Sequence, residues 1–230
     1  MDLNVNLGKQ NDGTELRLDL AKQELNLILL LGETGSGKSV FHFQLYKELV
    51  RQNRRADLRF IFIDNTRVDF HYFPESDLYH RITDHNLGVQ ALQDILELVK
   101  GRNSKQIPND QAIIVHIEEC DLWAADTVKT EEFFREFIKL RKGSNVYVVY
   151  STSRPSVDVI PDWLISSADL KVVFKMASEE GVQMVLGDSS SVNFTQPGER
   201  ILVLKDKQIK CQPFSQAELK EIQQFEEQRV

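Results

Sequence analysis

The stretch LNLILLLGETGSGKS, Leu25 to Ser39, has the residue types and the spacing needed to hold phosphate. An apolar run stops at Gly32, and G-x-x-x-x-G-K-[ST] follows as a phosphate-binding loop. Glycines at 32, 35 and 37 permit a tight turn whose backbone N–H groups approach phosphate oxygens closely. The helix that opens at Lys38-Ser39 adds its positive N-terminal end. Lys38 supplies a cation for the β- and γ-phosphates, and the Ser39 hydroxyl supplies a ligand for Mg²⁺. The expected nucleotide-contacting set is Gly32, Glu33, Thr34, Gly35, Ser36, Gly37, Lys38, Ser39 and Val40, and the expected cofactors are ATP and Mg.

Cleaving a triphosphate also requires an acid near the metal and a carboxylate that orients and deprotonates water. The buried run Ala112–Ile117 (AIIVHI) ends in Glu118-Glu119. Two successive acids at a strand tip can divide these roles, with Glu118 toward a metal-bound water and Glu119 toward the attacking water. Val146–Tyr150 (VYVVY) ends in Ser151-Thr152-Ser153-Arg154. In an open α/β sheet the C-terminal strand ends line the ligand crevice, so these polar residues should face the γ-phosphate. Asp64 closes Leu58–Ile63 and reads either as a neighbour of the nucleotide or as a turn or capping residue. His71, His80 and His85 form no metal spacing, and His116 reads as a packed side chain rather than a base.

Parallel strands and helices must position these groups. The buried runs at 25–31, 58–63, 112–117, 146–150 and 171–175 alternate with helical periodicity at 39–53, 86–101, 130–142 and 179–186. Asn86 can cap the second of these helices. Leu3, Val5 and Leu7 alternate with polar residues, as do Leu16, Leu18 and Leu20, and Asn11-Asp12-Gly13 between them signals a hairpin. A second hairpin is expected at Ile201–Leu204 and Ile209–Cys211. Ser215 with Glu218 forms a capping box for a C-terminal helix. Arg51, Arg54 and Arg55 are either cations at a helix C-terminus or a patch that meets DNA.

The 230 residues carry a net charge of −7, with 41% hydrophobic and 27% charged residues, as in an ordinary soluble globular chain. A protein that coats nucleic acid usually presents a basic surface, so any such contact here must be confined to local loops. No run is long enough to cross a bilayer and the N-terminus has no leader layout. Cys120 and Cys211 stand far apart, which suggests reduced thiols and a cytoplasmic setting.

The segment order resembles the motor domain of the FtsK/SpoIIIE-type DNA translocases almost from end to end. The resemblance rests on LGKQNDG and LDLAK before the loop, GETGSGKSV, LRFIFID, RPSVDVI at Arg154–Ile160, VVFKMAS at Val172–Ser178 and GERILVL at Gly198–Leu204. It implies an α/β, RecA-like P-loop NTPase with a mostly parallel central sheet flanked by helices and peripheral β-hairpins at both ends. One ATPase domain would span 1–230, with a hairpin at 1–20 and a C-terminal helix at 213–230. The resemblance further implies a ring, a hexamer, that threads double-stranded DNA and hydrolyses ATP between subunits.

On that resemblance, residues 32, 35, 37, 38 and 39 match the Walker A positions, and Glu118 and Glu119 match the Asp-Glu pair of Walker B. Ser153 stands where the family has a γ-phosphate-sensing glutamine, and Arg154 matches the following arginine. Glu118 is one methylene longer than the usual Asp. Lys171 and Gln183 fall where the family places arginines near a neighbouring subunit's nucleotide, so slow hydrolysis is an expectation. Arg141 and Lys142 are the candidate DNA-gripping charges. A bare motor module without its own membrane span or sequence reader is expected, working with a membrane-anchored or sequence-reading partner. The alternatives are a weakly hydrolysing nucleotide-binding assembly module, or a related ring ATPase for protein secretion or viral genome packaging. A small-molecule kinase fits least, for want of an acceptor site or lid.

Overall fold

The computed structural model describes residues 1–64, 70, 73–118, 126–154, 160–187, 193–205 and 207–227. Period-two alternation at the start of the chain becomes β1 (Asn4–Lys9) and β2 (Glu15–Asp19), an antiparallel pair in a sheet of their own. Their inward leucines and Val5 pack against α1 (Lys38–Gln52), where Gln44 donates to the Asn6 carbonyl at 3.3 Å.

The parallel strands of the main sheet are mostly runs that are apolar on both faces, as strands covered on two sides must be, with the half-exposed edge strand Tyr79–Ile82 the exception. These are β3 (Leu27–Leu31), β4 (Leu58–Asp64), β5 (Tyr79–Ile82), β6 (Ala112–Glu118), β7 (Val146–Thr152) and β8 (Leu170–Val173). The hairpin β9 (Arg200–Leu204) and β10 (Lys207–Cys211) completes it, in the order β10-β9-β8-β3-β7-β6-β4-β5. The strands from β8 to β5 pair in parallel, and β9 joins β8 antiparallel. The C-terminal hairpin is therefore an extension of the central sheet, whereas the N-terminal one is peripheral as expected. Gly198 N–H donates to the Ser36 carbonyl at 2.8 Å, so the approach to this hairpin touches the phosphate loop.

Side-chain alternation divides the core. Ile28, Leu30, Phe60 and Phe62 face α1, while Leu27, Leu29 and Leu31 face the other layer. That layer holds α2 (His85–Asn103), α3 (Thr127–Leu140), α4 (Asp162–Ser167) and α5 (Glu179–Leu186). A last helix, α6 (Gln216–Glu227), lies on α1 through Glu221, which meets Lys47 at 3.1 Å and Arg51 at 3.0 Å. Its capping box is formed: Glu218 accepts from Ser215 N–H at 2.7 Å, and Ser215 Oγ accepts from Glu218 N–H at 3.3 Å. The cap of α2 is Asp84 rather than Asn86, accepting from Leu87 N–H at 3.0 Å. The strand β5 and the helix α4 were not anticipated, because each is a single short run without a readable period.

Buried polar residues close the rim where the parallel strands begin. Arg141 is buried and donates to both carboxylate oxygens of Asp169, at 2.9 and 2.7 Å, and to the carbonyls of Ser167 and Ile138. Asp169 in turn accepts from Leu27 N–H at 2.8 Å. Arg102 donates to the carbonyls of Ser144 and Asn145 at 3.0 and 3.2 Å, and Asn26 to that of Val146 at 2.8 Å.

Arg200 binds the two ends of the described chain together. It is fully buried and donates to the carbonyls of Leu7 (2.6 Å), Gly198 (2.8 Å) and Gln212 (2.9 Å). Its guanidinium lies 4.2 Å from the Phe214 ring centroid. Burial depresses its pKa to about 10.

Candidate nucleotide site

The loop Gly32–Gly37 emerges from β3 at the centre of the sheet and feeds directly into α1. Two glycines are required by the space and backbone there. A Cβ on Gly32 would lie 2.6 Å from Phe174 Cβ and 2.8 Å from Ser36 Oγ. Gly37 has φ +114°, and a Cβ there would sit 3.0 Å from Gly198 Cα. Glu33 is fastened to the end of β8, its N–H donating to the Lys175 carbonyl at 2.8 Å and its carboxylate meeting Lys175 Nζ at 3.0 Å.

The start of α1 is open. Side-chain oxygens from Asp84, Asp126, Ser178 and Ser215 cap α2, α3, α5 and α6, whereas no side chain caps α1 and no acid lies in its first turn. A helix end left this way presents N–H groups and a positive potential to an anion. Lys38 folds back over the loop, donating to the Gly32 carbonyl at 2.8 Å and that of Glu33 at 3.3 Å. Ser36 Oγ is buried with no hydrogen-bond partner among the described residues.

Glu118 lies at the tip of β6 and is buried. The β7 strand intervenes between β3 and β6, so the acid strand is not the direct neighbour of the loop strand. In register, Leu31 pairs with Thr152, Ser151 with Glu118, and Glu118 with Asp64, so the polar tips of β7, β6 and β4 form one rim beside the end of β3. Ser151 Oγ donates to Glu118 Oε1 at 3.1 Å, and His116 Nε2 lies 2.8 Å from Glu118 Oε2. Tyr46 OH, from α1, hydrogen-bonds His116 Nδ1. His116 is thus packed, as expected, and it also ties the acid to the helix that carries Lys38. Sequence separation hid this link, since Tyr46 and His116 lie 70 positions apart.

Glu119 lies outside the described residues. Ser153 is half-buried, and Arg154 is exposed with its N–H donating to Thr152 Oγ1 at 3.1 Å, both at the end of β7 as expected. Lys171 reaches across to the carbonyl of Val185 within the same chain at 3.5 Å, and Gln183 is exposed on α5. The expectation for Arg141 needs correction. Its guanidinium is buried and bound to Asp169, at the rim opposite the loop, and is not available as a surface cation. Lys142 is exposed and pairs with Glu24 at 2.8 Å. Arg51 and Arg54 are likewise paired, with Glu221 and Asp57.

Beside the loop is a largely apolar cavity of about 220 Å³, bounded by Gly35, Gly37, Val40, Phe174, Pro197 and Phe214, with Arg200 in its wall. No sequence signal pointed to it, because its walls come from four separate segments. A larger groove of about 520 Å³ lies between β5 and α2, away from the loop.

A model of the FtsK/SpoIIIE family matches residues 1–187. The chain belongs to the FtsK/SpoIIIE family. A DNA translocase FtsK of Helicobacter pylori is 29% identical over 234 aligned positions that take in 87% of this chain and 27% of that protein. The chain therefore spans about a quarter of the length of this relative. Among solved structures, the pCW3 conjugation coupling protein TcpA, with ATPγS, superposes with a TM-score of 0.73 at 18% identity, covering 100% of this chain and 71% of that one. The genome packaging NTPase B204 of Sulfolobus turreted icosahedral virus 2, with AMPPCP, gives 0.60 at 13% identity over 83% of this chain and 98% of that one. The fold is that of a P-loop ATPase, as the family resemblance implied. No described helix is long and apolar enough to cross a membrane.

Proposed function

We propose that this chain is an ATP-hydrolysing motor module that moves double-stranded DNA. The observation that carries the reading is the convergence of the open loop-to-helix junction with the Glu118–Ser151 rim, in a member of a family whose full-length relatives are named DNA translocases. The α- to γ-phosphates lie along Gly32–Ser39, and the base enters the cavity lined by Val40, Phe174 and Phe214. Lys38 exchanges its loop carbonyls for phosphate oxygens. That replaces neutral acceptors with charged ones, which make hydrogen bonds roughly twice as strong.

The donor set fits magnesium, since the Ser39 hydroxyl and the Glu118 carboxylate are both hard oxygen ligands. When bound, that ion would neutralise charge developing on the phosphates. Ser151 and His116 hold Glu118 in orientation. Glu119 is assigned to orient and deprotonate the attacking water, with Ser153 and Arg154 facing the γ-phosphate.

Self-association into a ring, a hexamer, extends the proposal, together with a cytoplasmic location and a membrane-anchored or sequence-reading partner. Lys142 remains the candidate cation for DNA, and the acidic net charge confines that contact to loops. The test is ATP hydrolysis with and without linear duplex DNA. Stimulation by DNA that Glu119→Gln abolishes supports the motor, and absence of stimulation at every salt concentration rejects it. The weakly hydrolysing module is favoured by one observation, the Lys171 amine engaged within its own chain at the Val185 carbonyl. It predicts turnover that Glu119→Gln hardly changes.

A further inference from the structure

We propose that His42, His116 and Glu118 form a binding site for a first-row divalent transition-metal ion, with zinc as the reference. One potential ligand atom from each residue lies within 4.8 Å of the other two, and all three residues are buried. His42 comes from α1 one turn after Lys38, while the other two project from the same face of β6. The ion would lie between the helix and the sheet, just behind the phosphate loop.

The unexplained group is His42. Its ring is wholly buried, and neither nitrogen has a hydrogen-bond partner among the described residues. A buried imidazole with both nitrogens unmet is costly, and a buried polar group in that condition calls for an ion or water. Its ring meets His116 edge-on, with centroids 4.8 Å apart, and Phe43 and Phe70 wall it from solvent. Burial, with His116 and Lys38 nearby, holds its pKa well below the ordinary value, so it presents the neutral form that binds metals.

The outer contacts of a metal centre are already in place. Ligating histidines usually engage a fixed partner through the second nitrogen, and ligating carboxylates are hydrogen-bonded in turn. Here Tyr46 OH meets His116 Nδ1, leaving Nε2 toward Glu118, and Ser151 holds the other oxygen of Glu118. Ligands at about 2.1 Å from one ion stand no more than about 4.2 Å apart, so closure requires side-chain movements of roughly 1 Å.

Two imidazoles with one carboxylate suit zinc, cobalt or nickel, whereas magnesium and calcium prefer oxygen alone. The Lys38 charge weakens the site and the Glu118 carboxylate offsets it. Glu118 is common to this site and to the nucleotide's metal, so the two occupancies would be coupled.

The test uses the full chain without nucleotide or DNA, so its outcome is separable from that of the motor reading. Zinc retained after gel filtration is counted, and cobalt is titrated against its visible ligand-field absorption. One equivalent per chain is expected, unaffected by excess magnesium. Affinity should fall more than about tenfold in His42→Phe, which keeps an aromatic ring in the cluster, and in Glu118→Gln, which keeps the carboxylate's shape. Absence of stoichiometric binding, equal binding in folded His42→Phe, or displacement by magnesium would overturn the proposal.

Discussion

At the rim where the parallel strands begin, Arg141 and Arg102 are held by a carboxylate and main-chain carbonyls of the same chain. At the rim where they end, Lys38 rests on two loop carbonyls, Ser36 Oγ is unmet among the described residues, and the start of α1 lacks a side-chain cap. Both rims bury charge between the same strands. One rim is closed by its own partners, whereas the other holds Lys38 and Glu118 within the chain but leaves Ser36 Oγ and the uncapped start of α1 to be met from outside. Since an unmet buried polar group costs about 1–3 kcal/mol, the second rim reduces stability to gain ligand affinity.

Four measurements can break this contrast, and the largest effect belongs to Lys38. Lys38→Ala should abolish ATP hydrolysis and weaken nucleotide binding by roughly a hundredfold, about 3 kcal/mol for lost charge-assisted bonds. Its unfolding free energy in urea should fall only by about 1–2 kcal/mol, the net worth of the hydrogen bonds it gives to the Gly32 and Glu33 carbonyls. At the opposite rim the balance reverses. Arg141→Ala leaves the Asp169 carboxylate, just before β8, with the Leu27 N–H but without its guanidinium partner and should cost about 3–5 kcal/mol of stability, with nucleotide affinity unchanged in the fraction that remains folded.

A smaller effect is expected where Tyr46 and His116 tie Glu118 to α1. His116→Gln frees Glu118 from one of its two anchors, and hydrolysis should fall about tenfold while binding of nucleotide in the absence of divalent ions stays the same. Equal losses in both would mean that His116 supports the fold rather than the acid.

The smallest effect is at the surface. Hydrogen bonds from Lys47 and Arg51 hold the Glu221 carboxyl below its ordinary value of 4.5. A depressed folded-state pKa stabilises above the unfolded value and is lost as pH falls through the folded one. Glu221→Gln should therefore remove a small stability difference between pH 7 and pH 3. It should be under about 1 kcal/mol, because the Glu221 carboxylate is half exposed and screened even though Lys47 is buried. A larger change would show that α6 docks on α1 more tightly than its contacts suggest.

The loop, the buried strands and the acidic tip at Glu118 were legible because each is local: a spacing of glycines, a run of apolar residues, a strand that ends in acids. What escaped notice is assembled from distant segments. The cavity beside the loop draws on residues near 35, 174, 197 and 214, and the Tyr46–His116–Glu118 connection exists only when α1 lies on β6. Arg141 was misassigned for a related reason. A Lys-Arg pair at a helix end reads as solvated charge, and only the fold reveals Asp169 opposite it. The C-terminal hairpin looked separate because nothing in β9 announces its pairing with β8.

Arg200 carries a consequence for how the protein is made. Its bond to the Leu7 carbonyl spans 193 positions, and Gln10 bridges to Cys211. During synthesis, the first hairpin leaves the ribosome long before the strands that hold it. Closing loops of that length is slow, and contacts of such separation come late. The leucines of β1 and β2 can pack on α1 soon after it follows them, but the Leu7–Gln10 edge of the pair stays unmet through most of translation, a window in which chaperones have access and which ends when the segment around Gly198–Gln212 emerges.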